Sequence, residues 1–369
     1  MNWYELQNEN EIDSPALLIY PDRVQHNINC MIASVGGDPK RLCPHVKTHK
    51  MQEVVQLQLA AGIDRFKCAT IAELEMTLLA GAKNVLIAYQ MTGPKIQRFL
   101  AVTQHFPDAS IAALVDNVDS AQQLATTFAA KELSANIYLD VDNGMHRSGY
   151  PLNEDTFDMV AQLCKIAGLS FKGLHIYDGQ FRTKQVAERV EASNAAFHPV
   201  YALVDRIAKE LKIDAEIING GSPSFSAAAA RENVFCSPGT TLLWDYGYAQ
   251  MVGEIPFQWA AILMTRVISK PTEGVITLDL GHKSVASEKV LAKRIHFLNL
   301  TDYEATGHSE EHLVLRVKDW HNIKVGDVFY GVPYHVCPSV ALHEEAQVMR
   351  DNVAVETWQV VARKRRISL

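Results

Sequence analysis

Short apolar runs recur through the first two thirds of the chain, each ending in polar or glycine-rich residues and followed by a helical apolar repeat. An opening run at 16–20, with a helical pattern from about residue 22, precedes eight further runs. These lie at 42–47, 65–69, 85–89, 111–115, 136–141, 171–177, 216–219 and 233–236. The segments between them are amphipathic. Ile71-Ala-Glu-Leu-Glu-Met-Thr-Leu-Leu-Ala, for example, is followed by Gly81, a residue suited to closing a helix. Eight strands alternating with helices over this length fit a closed (β/α)8 barrel, the TIM-barrel architecture, better than an open sheet. A doubly wound open sheet shares the same periodicity, because periodicity does not report closure.

From about Val252 the texture changes. Short β-type runs at 262–269, 274–279 and 311–317 are separated by turn residues, with no long helical pattern before the end. The expectation is an α/β chain of two domains. A barrel spans 14–250, and a C-terminal β-rich domain spans 251–369, joined by residues 1–13.

Composition narrows the partners. With 369 residues, 48% of them hydrophobic, the chain can bury a large core. A net charge of -7 with interspersed signs argues against nucleic-acid binding, which needs a basic surface. The basic run Arg363-Lys364-Arg365-Arg366 reads as a solvated end. No stretch is apolar enough to span a bilayer, and the first residues carry no secretory pattern, so no membrane partner is expected. Six cysteines (Cys30, Cys43, Cys68, Cys164, Cys236, Cys337) show no paired spacing, which suggests reduced thiols in a cytoplasmic protein.

The candidate chemistry is positional. In a barrel, catalytic residues sit at the C-terminal ends of the strands, and phosphate is often bound by the loops after strands seven and eight. The first of the eight runs ends in Lys47, where a partly desolvated amine beside other cations can form a Schiff base. The fifth runs into Asp140-Val-Asp-Asn-Gly-Met-His-Arg147, and the sixth ends in His175-Ile-Tyr177-Asp178. The seventh ends in Asn219-Gly220-Gly221-Ser222, and the eighth is followed by Ser237-Pro238-Gly239-Thr240. Glycines let backbone N–H groups approach an anion, and hydroxyls add donors. Each loop alone is an ordinary turn. Their coincidence on consecutive strands, in a barrel that also carries Lys47, points to a phosphate-bearing aldehyde.

These motifs resemble the fold-type III pyridoxal-phosphate enzymes, the alanine-racemase-like barrels, and within them the D-threonine aldolase and D-serine dehydratase group. The resemblance runs along essentially the whole chain. It rests on Pro44-His45-Val46-Lys47-Thr48-His49-Lys50, on Asn143-Gly144-Met145-His146-Arg147-Ser148-Gly149 and on the two glycine loops. It implies that pyridoxal 5'-phosphate is bound covalently at Lys47, with Arg147 near its phenolic oxygen and Tyr177 packed against its ring. Gly220, Gly221, Ser222, Gly239 and Thr240 would hold its phosphate. One departure stands out: Ser237 occupies the place where racemases of this fold put an arginine against the pyridine nitrogen. Losing that cation is compatible with a stronger electron sink and makes simple racemisation less expected; a neutral swap would look the same.

Pro333-Tyr334-His335-Val336-Cys337-Pro338 is similar to the metal segment of the same group. Alternate residues of a strand share a face, so His335 and Cys337 can converge on one ion, and imidazole plus thiolate favours zinc, with manganese as the alternative. A buried thiol beside a satisfied histidine is the plainer reading. Asp279-Leu-Gly-His282-Lys283-Ser284 offers His282 and Lys283 as candidates for a substrate carboxylate, and an ordinary turn explains it nearly as well; His343 reads as structural. The resemblance implies a metal-assisted lyase acting on small D-β-hydroxy-α-amino acids, as a homodimer. Retro-aldol cleavage to glycine and an aldehyde is favoured over D-serine dehydration to pyruvate and ammonia. A non-catalytic pyridoxal-phosphate carrier is the reading from another class, and the residues after Val252 count against it.

Overall fold

The computed structural model describes all 369 residues, which form two compact units. One comprises 29–47, 55–239 and 364–369; the other comprises 1–28, 48–54 and 240–363.

The first unit is a ring of parallel strands. Arg65–Cys68, Asn84–Gln90, Ser110–Val115, Ala135–Asp142, Leu169–Ile176, Glu216–Asn219 and Phe235–Cys236 pair in that order, and all these pairings are parallel. Residues 42–45 close it. Leu42 bridges Cys236, His45 bridges Lys67, Cys43 N–H donates to Cys236 O at 2.8 Å, and Lys67 N–H donates to Pro44 O at 2.9 Å. The expected eight strands are therefore present, the first of them as a short bridging segment. It gives way at Val46–Thr48 to a single 3-10 turn, so Lys47 stands on a turn beyond the strand.

The helices follow the amphipathic segments. Ile71–Leu79 is capped by Thr70, whose hydroxyl accepts from Glu73 N–H, and Gly81 follows at φ +104°.

The ring is filled by side chains. Cys43, Leu86, Ala112, Leu114, Tyr138 and Ile218 pack in its interior, with Ala88 and Phe235 against them. At the end where the strands begin, Arg65 makes a bidentate pair with Glu216 at 2.9 Å and 2.9 Å, and Tyr138 donates its hydroxyl to the same carboxylate. The sixth and seventh strands approach so closely that a Cβ on Gly173 would lie 1.9 Å from Glu216 O. No other residue fits there.

The second unit is built on a sheet of nine strands. Its path runs Tyr303–His308, Leu313–Val317, Val275–Leu278, Ala261–Thr272, Ala16–Ile19, Glu345–Arg350, Val353–Gln359; Val328–Pro333 joins Ala261–Thr272 to Ile295–Phe297. Ala16–Ile19, placed by the sequence reading within the barrel domain, is an inner strand of this sheet instead. It lies antiparallel to Ala261–Thr272 and parallel to Glu345–Arg350. The physical reason is its composition: all four residues are buried and apolar, so they need neighbours on both edges and both faces. No helix is long and apolar enough to cross a membrane.

Candidate active site

Alternate residues of a barrel strand point inward, so the interior layers can be counted by twos along the sequence. One layer beyond Arg65 and Tyr138 come Lys67 and Asp140; beyond Gly173 come His175 and then Tyr177. Lys67, Asp140 and His175 are all buried and joined in a row. His175 Nδ1 lies 2.7 Å from Asp140 Oδ1, and His175 Nε2 lies 3.3 Å from Lys67 Nζ. Asp140 also accepts from Gln90 Nε2 at 2.8 Å and Ser148 Oγ at 3.1 Å. Burial alone would raise the Asp140 carboxyl, but the bonds from His175, Gln90 and Ser148 bring it below its ordinary value. Burial, then the neighbouring Lys67 ammonium, pushes His175 down, so it sits as a neutral imidazole bridging an anion and a cation.

Tyr177 is the centre of the next layer. Lys47 Nζ lies 5.9 Å from its ring centroid, Lys67 Nζ 6.0 Å, and Arg147 Cζ 4.7 Å. The ring is wedged between two glycines. A Cβ on Gly179 would fall 2.5 Å from its hydroxyl, and one on Gly221 would fall 2.8 Å from Cε2. If the coenzyme expected from the sequence rests against this ring, Gly221→Ala, which pushes the ring aside, weakens its retention about tenfold, the scale of one lost favourable contact of ~1.4 kcal/mol. Equilibrium dialysis against pyridoxal phosphate measures it, and unchanged retention would rule out the ring as part of the cradle.

The two glycine loops are in contact. Gly239 N–H donates to Ser222 Oγ at 3.3 Å, tying the loop after the eighth strand to the loop after the seventh, and Gly220 takes φ +109°. Beneath them lies a network that sequence reasoning left unassigned. Asp178, fully buried, accepts from Ser224 Oγ at 2.5 Å and Ser193 Oγ at 3.0 Å. Arg231 reaches Asp178 at 4.0 Å and Ser193 Oγ at 2.7 Å, and also donates to Asn219 Oδ1. This network fixes both ends of loop 219–224.

Ser237 is buried and gives its hydroxyl to Cys43 O at 2.8 Å, joining the last strand to the first. The hydroxyl here serves the ring's closure, which gives this position a structural use. Thr240 belongs to the other unit, where its hydroxyl lies 3.6 Å from Cys337 Sγ.

In that second unit the expected strand geometry of the metal pair is replaced. Strand Val328–Pro333 ends before His335, which caps the helix Val336–Val340, and Cys337 lies in the first turn. The two still meet: the imidazole is hydrogen-bonded to the Cys337 side chain. His335 Nδ1 lies 2.5 Å from Glu288 Oε1, and Thr48 Oγ1 lies 3.2 Å from Cys337 Sγ. Burial works against the imidazolium, but Cys337, Glu288 and Asp245 raise it to about 9. No cluster of three or more His, Cys, Asp or Glu residues has the arrangement of a metal site. Lys283, a candidate for the substrate carboxylate, is exposed and lies 3.3 Å from both Glu310 and Glu311, so its charge is already engaged. His282 instead lies with its ring centroid 5.9 Å from that of His308. His343 Nε2 lies 2.8 Å from Ser284 O, as a structural histidine would.

Residues 19–243, more than half of the chain, match the family described as "Alanine racemase, N-terminal domain". The chain belongs to this family. Residues 260–349 match a second description, "Putative serine dehydratase domain". Among curated proteins, the chain is similar to a D-threonine aldolase from Arthrobacter sp, 27% identical over 95% of this chain and 93% of the relative. It is also similar to a D-threo-3-hydroxyaspartate dehydratase from Delftia sp. (strain HT23), 21% identical over 94% of this chain and 97% of the relative. Among solved structures, a D-threonine aldolase from Filomicrobium marinum superposes with a TM-score of 0.86, at 23% identity over 96% of each chain. That likeness shows the fold: an alanine-racemase-like barrel unit with a separate strand-rich unit.

A flat, phosphate-bearing aldehyde suits the barrel residues. There is an amine for the carbonyl, an aromatic ring flanked by cations, and a paired glycine loop that packs so closely on that ring at Gly221 that no Cβ fits between them.

Proposed function

We propose that this chain is a pyridoxal 5'-phosphate-dependent lyase of D-β-hydroxy-α-amino acids, with retro-aldol cleavage of a D-threonine-type substrate as its reaction. The observation that carries the reading is the convergence on Tyr177. The Lys47 amine stands 5.9 Å from its ring, and that ring packs on Gly221 of the loop tied to Gly239. When bound, the coenzyme supplies an aldehyde for the lysine and an electron-accepting ring.

The chain's own residues do the rest. Lys47 holds the coenzyme and, once released by substrate, carries a proton at Nζ. Tyr177 orients the ring, and Arg147, 4.7 Å from the Tyr177 ring centroid, offers a guanidinium to an oxyanion. The proposed place of the phosphate is the paired loop of Gly220, Gly221, Ser222 and Gly239, where Gly220 N–H is held by Ile176 O and the weaker bonds of Gly221 N–H to Ser224 Oγ (3.4 Å) and Gly239 N–H to Ser222 Oγ (3.3 Å) are the ones an anion would replace.

His335 and Cys337 are the proposed donors for a divalent metal, zinc before manganese. Glu288 on Nδ1 fixes the imidazole's orientation, as carboxylates do for metal-bound histidines. A metal there supplies Lewis-acid polarisation of a hydroxyl.

Dehydration is the second reading. It is favoured by the His-x-Cys pair and by the relative named a dehydratase. A homodimer and a reducing cytoplasmic compartment remain parts of the proposal, the latter supported by six free thiols.

Incubation with D-threonine and with D-serine, with and without chelator, tests the whole. Glycine plus acetaldehyde identifies the aldolase, and pyruvate plus ammonia the dehydratase. Complete metal removal is expected to abolish turnover until zinc or manganese is restored; full activity without metal refutes the role given to His335 and Cys337.

A further inference from the structure

Lysine 67 has no part in the reading above, yet it is the most unusual charge in the barrel. It is 2% exposed, and its ammonium has one hydrogen-bond partner, His175 Nε2 at 3.3 Å. That leaves two N–H bonds without a protein partner in a buried position, a costly arrangement unless something else completes them. Charges from several neighbouring strands and turns face it. Asp140 and Asp178 favour its protonation, as does Cys43 should it ionise, and Lys47 opposes it. Arg147 acts on the same group of residues through His175 and above Tyr177. Lys47 and Lys67 stand at nearly equal distances from the Tyr177 ring, 5.9 Å and 6.0 Å. The first is half-buried and the second enclosed.

We propose that Lys67, held by His175 and through it by Asp140, is a second working amine of the barrel site: it donates its spare N–H bonds to an oxyanion of the molecule bound at Lys47, and holds one exchangeable proton there. No bond to carbon is made by Lys67. The proton moves between its Nζ and that oxyanion, while neutral His175 keeps its Nδ1 proton on Asp140. The inference rests on the proposed coenzyme reading and adds to it a residue that senses the charge of the occupant. Burial, with Lys47 adding to it, draws the Lys67 amine down to about 8, against the pull of Asp140 and Asp178, within reach of a working pH.

The test uses wild-type, Lys67→Met and Asp140→Asn holoenzymes, each checked by borohydride fixation for attachment at Lys47. The pH dependence of the coenzyme's visible band and of kcat/KM is recorded for all three. Wild type is expected to show an ionisation near the value drawn for Lys67. Lys67→Met loses that ionisation with attachment at Lys47 intact, and kcat/KM falls about a hundredfold. Asp140→Asn, which removes a negative charge favouring the ammonium, moves the ionisation to lower pH. A Lys67→Met enzyme whose band and rate titrate like wild type overturns the proposal; Lys67→Gln replaces it if the methionine variant does not fold.

Should wild type take up no coenzyme, the functional reading falls by that result alone, and the amine is read in the apo-protein. A lysine whose folded value lies below its unfolded one binds fewer protons when folded between about 8 and 10.5. Wild-type stability relative to Lys67→Met therefore rises with pH across that window. A flat difference there removes the proton-holding role outright.

Discussion

Lys47→Ala protein will fold, bind pyridoxal phosphate only reversibly, and lose turnover by on the order of 10⁴-fold or more. The fold should survive because Lys47 is a half-buried residue on a turn beyond the closing strand, and the strand's bridges to Cys236 and Lys67 are made by Leu42 and His45. What disappears is the amine. Without it the coenzyme has no covalent tether and the reaction no base at that position. Borohydride reduction followed by peptide mapping checks the attachment, and steady-state kinetics on D-threonine check the rate. An alanine variant that retains a borohydride-fixed coenzyme on another lysine, with Lys67 the obvious competitor, would overturn the assignment.

The second large effect falls on stability. Arg231→Met removes a guanidinium 4.0 Å from the fully buried Asp178, together with the donors to Ser193 Oγ and Asn219 Oδ1. Breaking one side of a buried pair leaves an uncompensated charge and costs about 3–5 kcal/mol. The expected result is a lower midpoint for denaturant unfolding of the barrel unit and weaker coenzyme retention, because loop 219–224 loses its anchor at Asn219. Asp178→Asn in the Arg231→Met background should recover part of the lost stability by neutralising the orphaned carboxylate. If the single variant unfolds like wild type, the network is not what fixes the loop.

Much of the barrel was legible in the chain because period-two and period-3.6 patterns write themselves into apolar positions. The eight runs fell within a few residues of the strands, and the site loops lay where strand ends predicted. Lys47, Tyr177 and the 220–222 loop came together because strand register carries them there. What escaped had specific causes. Ala16–Ile19 is apolar at every position, and a fully buried strand looks the same in either sheet. His335 and Cys337 follow a proline that ends the strand, so their meeting depends on a short helix that spacing alone does not announce. Lys67 is a charge inside a buried strand and Arg231 a buried charge between exposed residues, and a single sequence shows neither's partners. Counting by twos from Tyr177 to His175, and noting a lysine that alternates with Phe66 and Cys68 in a short strand, was the signal available.

The first strand of the ring is also its weakest stave. Residues 42–45 are tied to their two neighbours by single bridges and a few hydrogen bonds, and the amine of Lys47 stands just past them. A ligand that engages this amine and also the glycine loops of the last two strands spans the seam like a rivet. Loading the protein should then slow amide exchange at Cys43 and His45 more than at the mid-barrel strands, and guard the join against local opening.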